Sequence, residues 1–156
     1  MKKIDVGQTV GILANLGVLA GIVFLAYEVR QSTFVTRLST AESFTATLSE
    51  IELFIVGDPE FTRLLLKGIQ GEALSTEDAF RLELFYRSVL RVWQTGHYQY
   101  LSSALDEGLW EGQRQGYLST LTRDQGLQSN WRQNLARYTP EFNEFMESML
   151  QEGAAE

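Results

Sequence analysis

Residues Val10–Tyr27 read VGILANLGVLAGIVFLAY. This run of 18 residues has no charge, and its only strongly polar side chain is Asn15. Both features meet the requirement for a helix that spans a bilayer. At 1.5 Å rise per residue it reaches roughly 27 Å, close to a thin hydrocarbon core. Two other readings compete. A cleaved signal peptide fits the basic Lys2-Lys3 start, but its apolar region is normally about 7–15 residues long. Phe24-Leu25-Ala26 before Tyr27-Glu28 is also a poor cleavage site. A buried core helix of a soluble protein is the second alternative. The uncleaved membrane helix fits the length and the flanks best.

Within this helix Gly7, Gly11, Ala14 and Gly21 fall near one face, and Gly17 pairs with Gly21 at a spacing of four. Small residues so spaced let two helices approach closely in lipid, where Asn15 can add a hydrogen bond across the contact. Glycine is also common in membrane helices for no such reason. The flanks nearly tie for orientation. Lys2 and Lys3 lie on one side and Arg30 and Arg37 on the other, and acids count little in this balance.

The remainder, roughly 125 residues, is enough for one domain with a core and not two. The 156-residue chain carries a net charge of −7, which argues against nucleic acid as a partner. It has no cysteine, so disulfides and thiolate chemistry are ruled out. No proline or glycine falls between Glu28 and Val56, and Val29, Phe34, Leu38, Phe44, Leu48, Ile51, Phe54 and Ile55 recur at helical spacings. The expectation is one long helix that continues from the membrane segment into the domain and stops at Gly57.

Five further helices are expected. Asp58-Pro59 opens one that runs to about Ile69, with Asp58 as N-cap. Gly68 and Gly71 loosen its end. Ser75 caps a long helix to about Ser103, with Leu82, Phe85, Val89, Trp93 and Tyr100 on one face and Phe80, Leu84, Val92 and Leu101 widening it. That helix is expected at the centre of the bundle. Asp106 caps the next, to about Thr122, with Leu109, Trp110, Tyr117, Leu118 and Leu121 inward. Arg123-Asp124-Gln125-Gly126 reads as a turn, followed by a helix with Trp131, Leu135 and Tyr138. Thr139-Pro140 opens the last helix, striped by Phe142, Phe145, Met149 and Leu150. The fold class is therefore all-α: a membrane anchor over residues 1–31, a helical domain over 32–152 and a frayed tail over 153–156.

The chemistry is sparse. His97 is the single histidine, and the residue three before it is Gln94, so no di-iron Glu-x-x-His motif exists. One histidine without cysteine does not make a zinc site, and no histidine in the membrane helix offers a haem ligand. The expectation for His97 is a packed, hydrogen-bonded core residue beside aromatics. No Gly-x-Ser-x-Gly elbow or P-loop is present. Arg81, Arg87 and Arg91 occupy nearly one face of the long helix and suit an anionic group or lipid head, or else pair with Glu77 and Glu83 on a solvated face. No catalytic residues, metal or cofactor are expected.

The order of features has a family resemblance. The N-terminal apolar helix runs into Tyr27-Glu28-Val29-Arg30-Gln31-Ser32-Thr33. Then follow Gly57-Asp58-Pro59-Glu60, Trp93, Tyr98-Gln99-Tyr100, Leu105-Asp106-Glu107 with Trp110, Trp131, and Tyr138-Thr139-Pro140-Glu141-Phe142. Over nearly its whole length the chain resembles a widespread group of small uncharacterised bacterial proteins with one membrane helix and a helical domain. The likeness implies a single-pass inner-membrane protein. It also implies a cytoplasmic domain, although Lys2 and Lys3 depart from the group's acidic N-terminal flank. It implies no enzyme activity, cofactor or substrate. The function expected is binding, as an accessory or scaffold subunit that docks on a larger membrane complex or self-associates through the glycine face. The alternative is a membrane-tethered sensor that holds a small apolar or anionic ligand near His97, Tyr98, Tyr100 and the arginines.

Overall fold

The helices after Gly57 begin where side-chain oxygens meet the free backbone N–H groups of a first turn. A computed structural model describes residues 6–155, with side-chain surroundings from Val10 onward. Lys2, Lys3 and Asp5 fall outside the described residues, and of Gly7 only the helical backbone is described. Six α-helices and no strand occur among the described residues. Helix α1 spans Val6–Gly57 without a break, as the absence of proline and the late glycine imply. The chain divides into two units, Met1–Ser39 and Thr40–Glu156.

In the second unit Asp58 accepts from the N–H groups of Glu60 and Phe61, both at 3.0 Å, and opens α2 (Pro59–Ile69). The Thr62 hydroxyl donates to the Ile55 carbonyl and fastens α2 to the end of α1. Ser75 caps α3 (Thr76–Leu101) through the Asp78 N–H. Asp106 caps α4 (Glu107–Arg123). Asp124 caps α5 (Gln125–Gln133), and Thr139 caps α6 (Pro140–Gly153) through the Phe142 N–H. From α2 to α6 each N-cap is a short oxygen-bearing side chain, and two helices carry proline in the first turn, where no N–H is missed.

The core forms where α3 meets α2, α4, α5 and α6, so the central place expected for α3 holds. Trp131, Phe142, Leu90, Leu121, Leu127, Met146 and Met149 are fully buried. Trp93 stacks on Tyr117 at 4.2 Å between ring centroids. Among the described residues of α1 Phe44 alone is buried, with Ala41, Leu48 and Ile55 packed partly against the core. The apolar stripe expected from Val29 onward therefore turns inward only from Ala41; Val29, Phe34 and Leu38 are exposed.

Several local expectations are corrected. The turn at 123–126 is a single residue: α4 ends at Arg123, α5 begins at Gln125, and Asp124 is buried between them. Its carboxylate accepts from the Tyr86 hydroxyl at 3.0 Å and the Leu127 N–H at 2.9 Å. The helix with Trp131 does not reach Tyr138; it ends at Gln133, a short 3₁₀ turn covers Leu135–Arg137, and Leu135 is exposed. Phe80 and Leu101 point outward, while Tyr86 and Leu90 supply the inner face of α3. α6 includes Gly153 of the expected frayed tail, and Glu156 lies outside the described residues.

Gly68 does not loosen α2. It is buried at the crossing with α3, where an added Cβ would stand 2.5 Å from Leu82 Cδ1 and 2.8 Å from the Tyr86 hydroxyl. Gly126 meets the same tyrosine from α5. Glycine is required at both places because the ring lies against two helix backbones. Gly71, at φ +69, makes the turn after α2.

Two kinds of substitution separate close approach from helix propensity. Gly68→Ala is expected to destabilise the domain by about 1–3 kcal/mol through overpacking. Gly116→Ala, at a helical site with nothing within 4 Å of the added Cβ, is expected to stabilise it by about 0.5–1 kcal/mol. Urea denaturation of the full chain in a non-ionic detergent, followed by tryptophan fluorescence, checks both signs.

Candidate functional site

The first candidate is the apolar part of α1. Among the described residues one helix is long and apolar enough to cross a membrane. Its large apolar side chains from Val10 to Leu38 are 51–70% exposed, so they pack into no protein core. Gly11, Gly17 and Gly21 have nothing within 4 Å of where a Cβ would stand, and Ala14 and Asn15 are exposed beside them. The polar side chains that follow are locally satisfied. The hydroxyls of Thr33 and Thr36 donate to the carbonyls of Val29 and Ser32, at 2.8 and 2.9 Å.

The second candidate is a cleft of about 420 Å³ where α3, α4 and α6 meet, lined by His97, Tyr100, Glu107, Trp110, Arg114 and Phe145 among others. The His97 ring stacks on Phe145 at 4.5 Å and 14°, and the Tyr100 ring stacks on Trp110 at 5.0 Å and 12°. The packing against rings is as expected, but the His97 imidazole makes no hydrogen bond among the described residues. Burial pushes its pKa below the ordinary histidine value, opposed by the negative charge of Glu141. Tyr98 is 69% exposed and does not line the cleft.

The expected arginine patch comes apart. Arg81 reaches Glu60 of α2 at 3.9 Å, not Glu77 or Glu83. Arg87 and Arg91 form no ion pair among the described residues; burial pushes the Tyr138 hydroxyl up, opposed by the charges of Arg137, Arg91 and Arg87. None of the three lines the His97 cleft. The arginine that does is Arg114, which donates to Glu152 of α6 at 2.7 Å and to Glu111 at 3.0 Å. These bonds hold its guanidinium firmly protonated and pull Glu111 below the usual carboxylate range. With both carboxylates on it, Arg114 joins α4 to α6 and has little charge left for an incoming anion.

Sequence reading missed Arg114 because half of its partnership is remote. Glu111 is three residues away and legible; Glu152 is 38 residues away and is not. Among the described residues no three histidine, cysteine or acidic side chains gather as metal ligands. No family model, curated protein or solved structure matches the chain.

The His97 environment sets a pH dependence. A histidine whose folded pKa lies below its unfolded value binds fewer protons in the fold. Its stabilising contribution is therefore whole above the unfolded pKa of about 6.5 and is lost as pH falls from there toward the folded value. Thermal unfolding midpoints between pH 7.5 and 5.5 are expected to fall for the native chain and to flatten in His97→Phe. An equal fall in the variant would move the effect to another group.

Proposed function

We propose that the protein is a non-catalytic, single-pass protein of the bacterial inner membrane that works as an accessory or scaffold subunit. Its helical domain faces the cytoplasm, and α1 docks on a larger membrane complex or on a second copy of itself. The observation that carries this reading is the contrast within α1. Apolar side chains from Val10 to Leu38 stay uncovered, whereas the domain fills its own core with large aromatic and aliphatic side chains. Lipid is the solvent that suits the first group, and small residues at 11, 14, 17 and 21 suit a close helix partner within it. The likeness to small bacterial membrane proteins with one helix and a helical domain points the same way.

A second reading is a membrane-tethered sensor, favoured by the cleft beside His97. Its stacked rings and its neutralised Arg114 suit a small apolar ligand better than an anion.

The primary reading has a direct test. The protein is expected to remain in membranes washed with alkaline carbonate and to leave mild detergent with a stoichiometric partner or as an oligomer. Gly17→Leu with Gly21→Leu is expected to disperse that assembly, and Asn15→Ala to weaken it by about 0.6 kcal/mol. Release by carbonate, or a lone monomer by light scattering, defeats the proposal.

A further inference from the structure

The uncovered apolar run of α1 is longer than lipid accounts for. From Val10 to Leu38 the helix rises roughly 42 Å, whereas a hydrocarbon core is about 30 Å thick. Glu28 and Arg30 mark where the run leaves it. Tyr27, Phe34, Val35 and Leu38 are nonetheless 51–68% exposed. Their order follows a rule. Tyr27, Gln31, Phe34 and Leu38 are spaced four, three and four residues apart, the rhythm that keeps one seam of a helix facing a partner helix. Ser32, Thr33 and Thr36 fall on the other side, and the hydroxyls of Thr33 and Thr36 donate to carbonyls of their own helix. The next position on the seam, Ala41, packs on the core of the domain, which ends the seam there. Traced back into the membrane segment, the same rhythm passes Gly17, with Ala14 and Gly21 beside it.

Charge identifies the partner. With Gln31 and Leu38 at a positions, Arg30 and Arg37 fall at g positions and Glu42 at the e position five residues after Arg37. Neither Arg37 nor Glu42 has an opposite charge three or four residues away on its own helix. Among the described residues neither forms an ion pair. In a parallel pair of identical helices a g residue faces the e residue five positions on in the other copy, so Arg37 meets Glu42 twice. An antiparallel pair sets g against g, and both g residues here are arginines. We propose that Tyr27–Leu38 forms a parallel two-stranded coiled coil with a second copy of this chain, just outside the bilayer. The inference rests on the docking role given to α1 and names its partner. Two anchors in one bilayer run the same way and raise the local concentration, so a short seam suffices. Gln31, polar at an a position, fixes the register at some cost in stability.

The chain has no cysteine, so single-cysteine variants of the full chain report on the seam directly. They are oxidised with copper phenanthroline in isolated membranes of an expressing bacterium. Gln31→Cys, Phe34→Cys and Leu38→Cys are expected to give at least about fivefold more disulfide dimer than Ser32→Cys, Thr33→Cys and Thr36→Cys. All six sites are exposed, and tryptophan fluorescence checks that the domain stays folded. Added to Leu38→Cys, either Arg37→Glu or Glu42→Arg is expected to lower the yield about threefold or more, and both together to restore it. Equal yields at all six sites overturn the proposal, as does a charge swap that restores nothing. Seam cysteines joined to another protein overturn it too, and so does dimer found with Gly17→Cys or Gly21→Cys but with none of the seam variants. Those last two results leave the docking role of α1 standing, whereas release of the chain by carbonate removes that role itself.

Discussion

The helical domain depends on one buried polar contact, between the Tyr86 hydroxyl and the Asp124 carboxylate. A carboxylate taken out of water is costly unless donors surround it. Asp124 is met by the Tyr86 hydroxyl and by the Leu127 N–H. Burial still pushes its pKa up, and these hydrogen bonds pull it back. Burial, with the Asp124 charge beside it, pushes the tyrosine hydroxyl far above its ordinary range. The contact joins the middle of α3 to the joint between α4 and α5, while Gly68 brings α2 against the same ring. Four helices thus share one side chain. Their apolar surfaces would bury in many arrangements, but the polar pair is satisfied in one.

Much of this architecture can be read from residue order alone, because it is local. Asp58-Pro59, Ser75, Asp106 and Thr139-Pro140 each decide a helix start within four residues, and each does so in the structure. The unbroken run of α1 past Tyr27 follows from the lack of any proline or glycine between Glu28 and Val56. Asp124 escaped the same reading although it caps a helix in the same way. The string Arg-Asp-Gln-Gly looks like a surface turn, and nothing nearby reveals that Tyr86, 38 residues earlier, will bury it. Gly68 misled for the same reason: a glycine near a helix end suggests loosening unless the neighbouring helix is known.

The side-chain clusters were less legible still. His97 beside aromatics was readable from α3, but the rings that hold it come from α4 and α6. The arginines at positions 81, 87 and 91 look like one patch on a helical wheel. In the fold Glu60 of α2 pairs with the first, while the other two form no ion pair among the described residues. Tyr138 was expected in one helix with Trp131 and Leu135. The actual chain path breaks after Gln133 and tucks the ring beside Phe142, at 5.7 Å between centroids.

The single-residue joint at Asp124 leaves this domain no slack in length between α4 and α5. One inserted residue would lengthen the joint by up to about 3.8 Å and push α5 out of register with the helices it packs on. Leu127 and Trp131, now wholly enclosed, would swing toward water, and the cap would point away from its tyrosine. The Gln70–Ser75 connection is several residues long and ends on a fresh cap, so it can absorb an extra residue. Natural length variants of such a chain should therefore collect in the segment between α2 and α3 and spare the α4–α5 elbow.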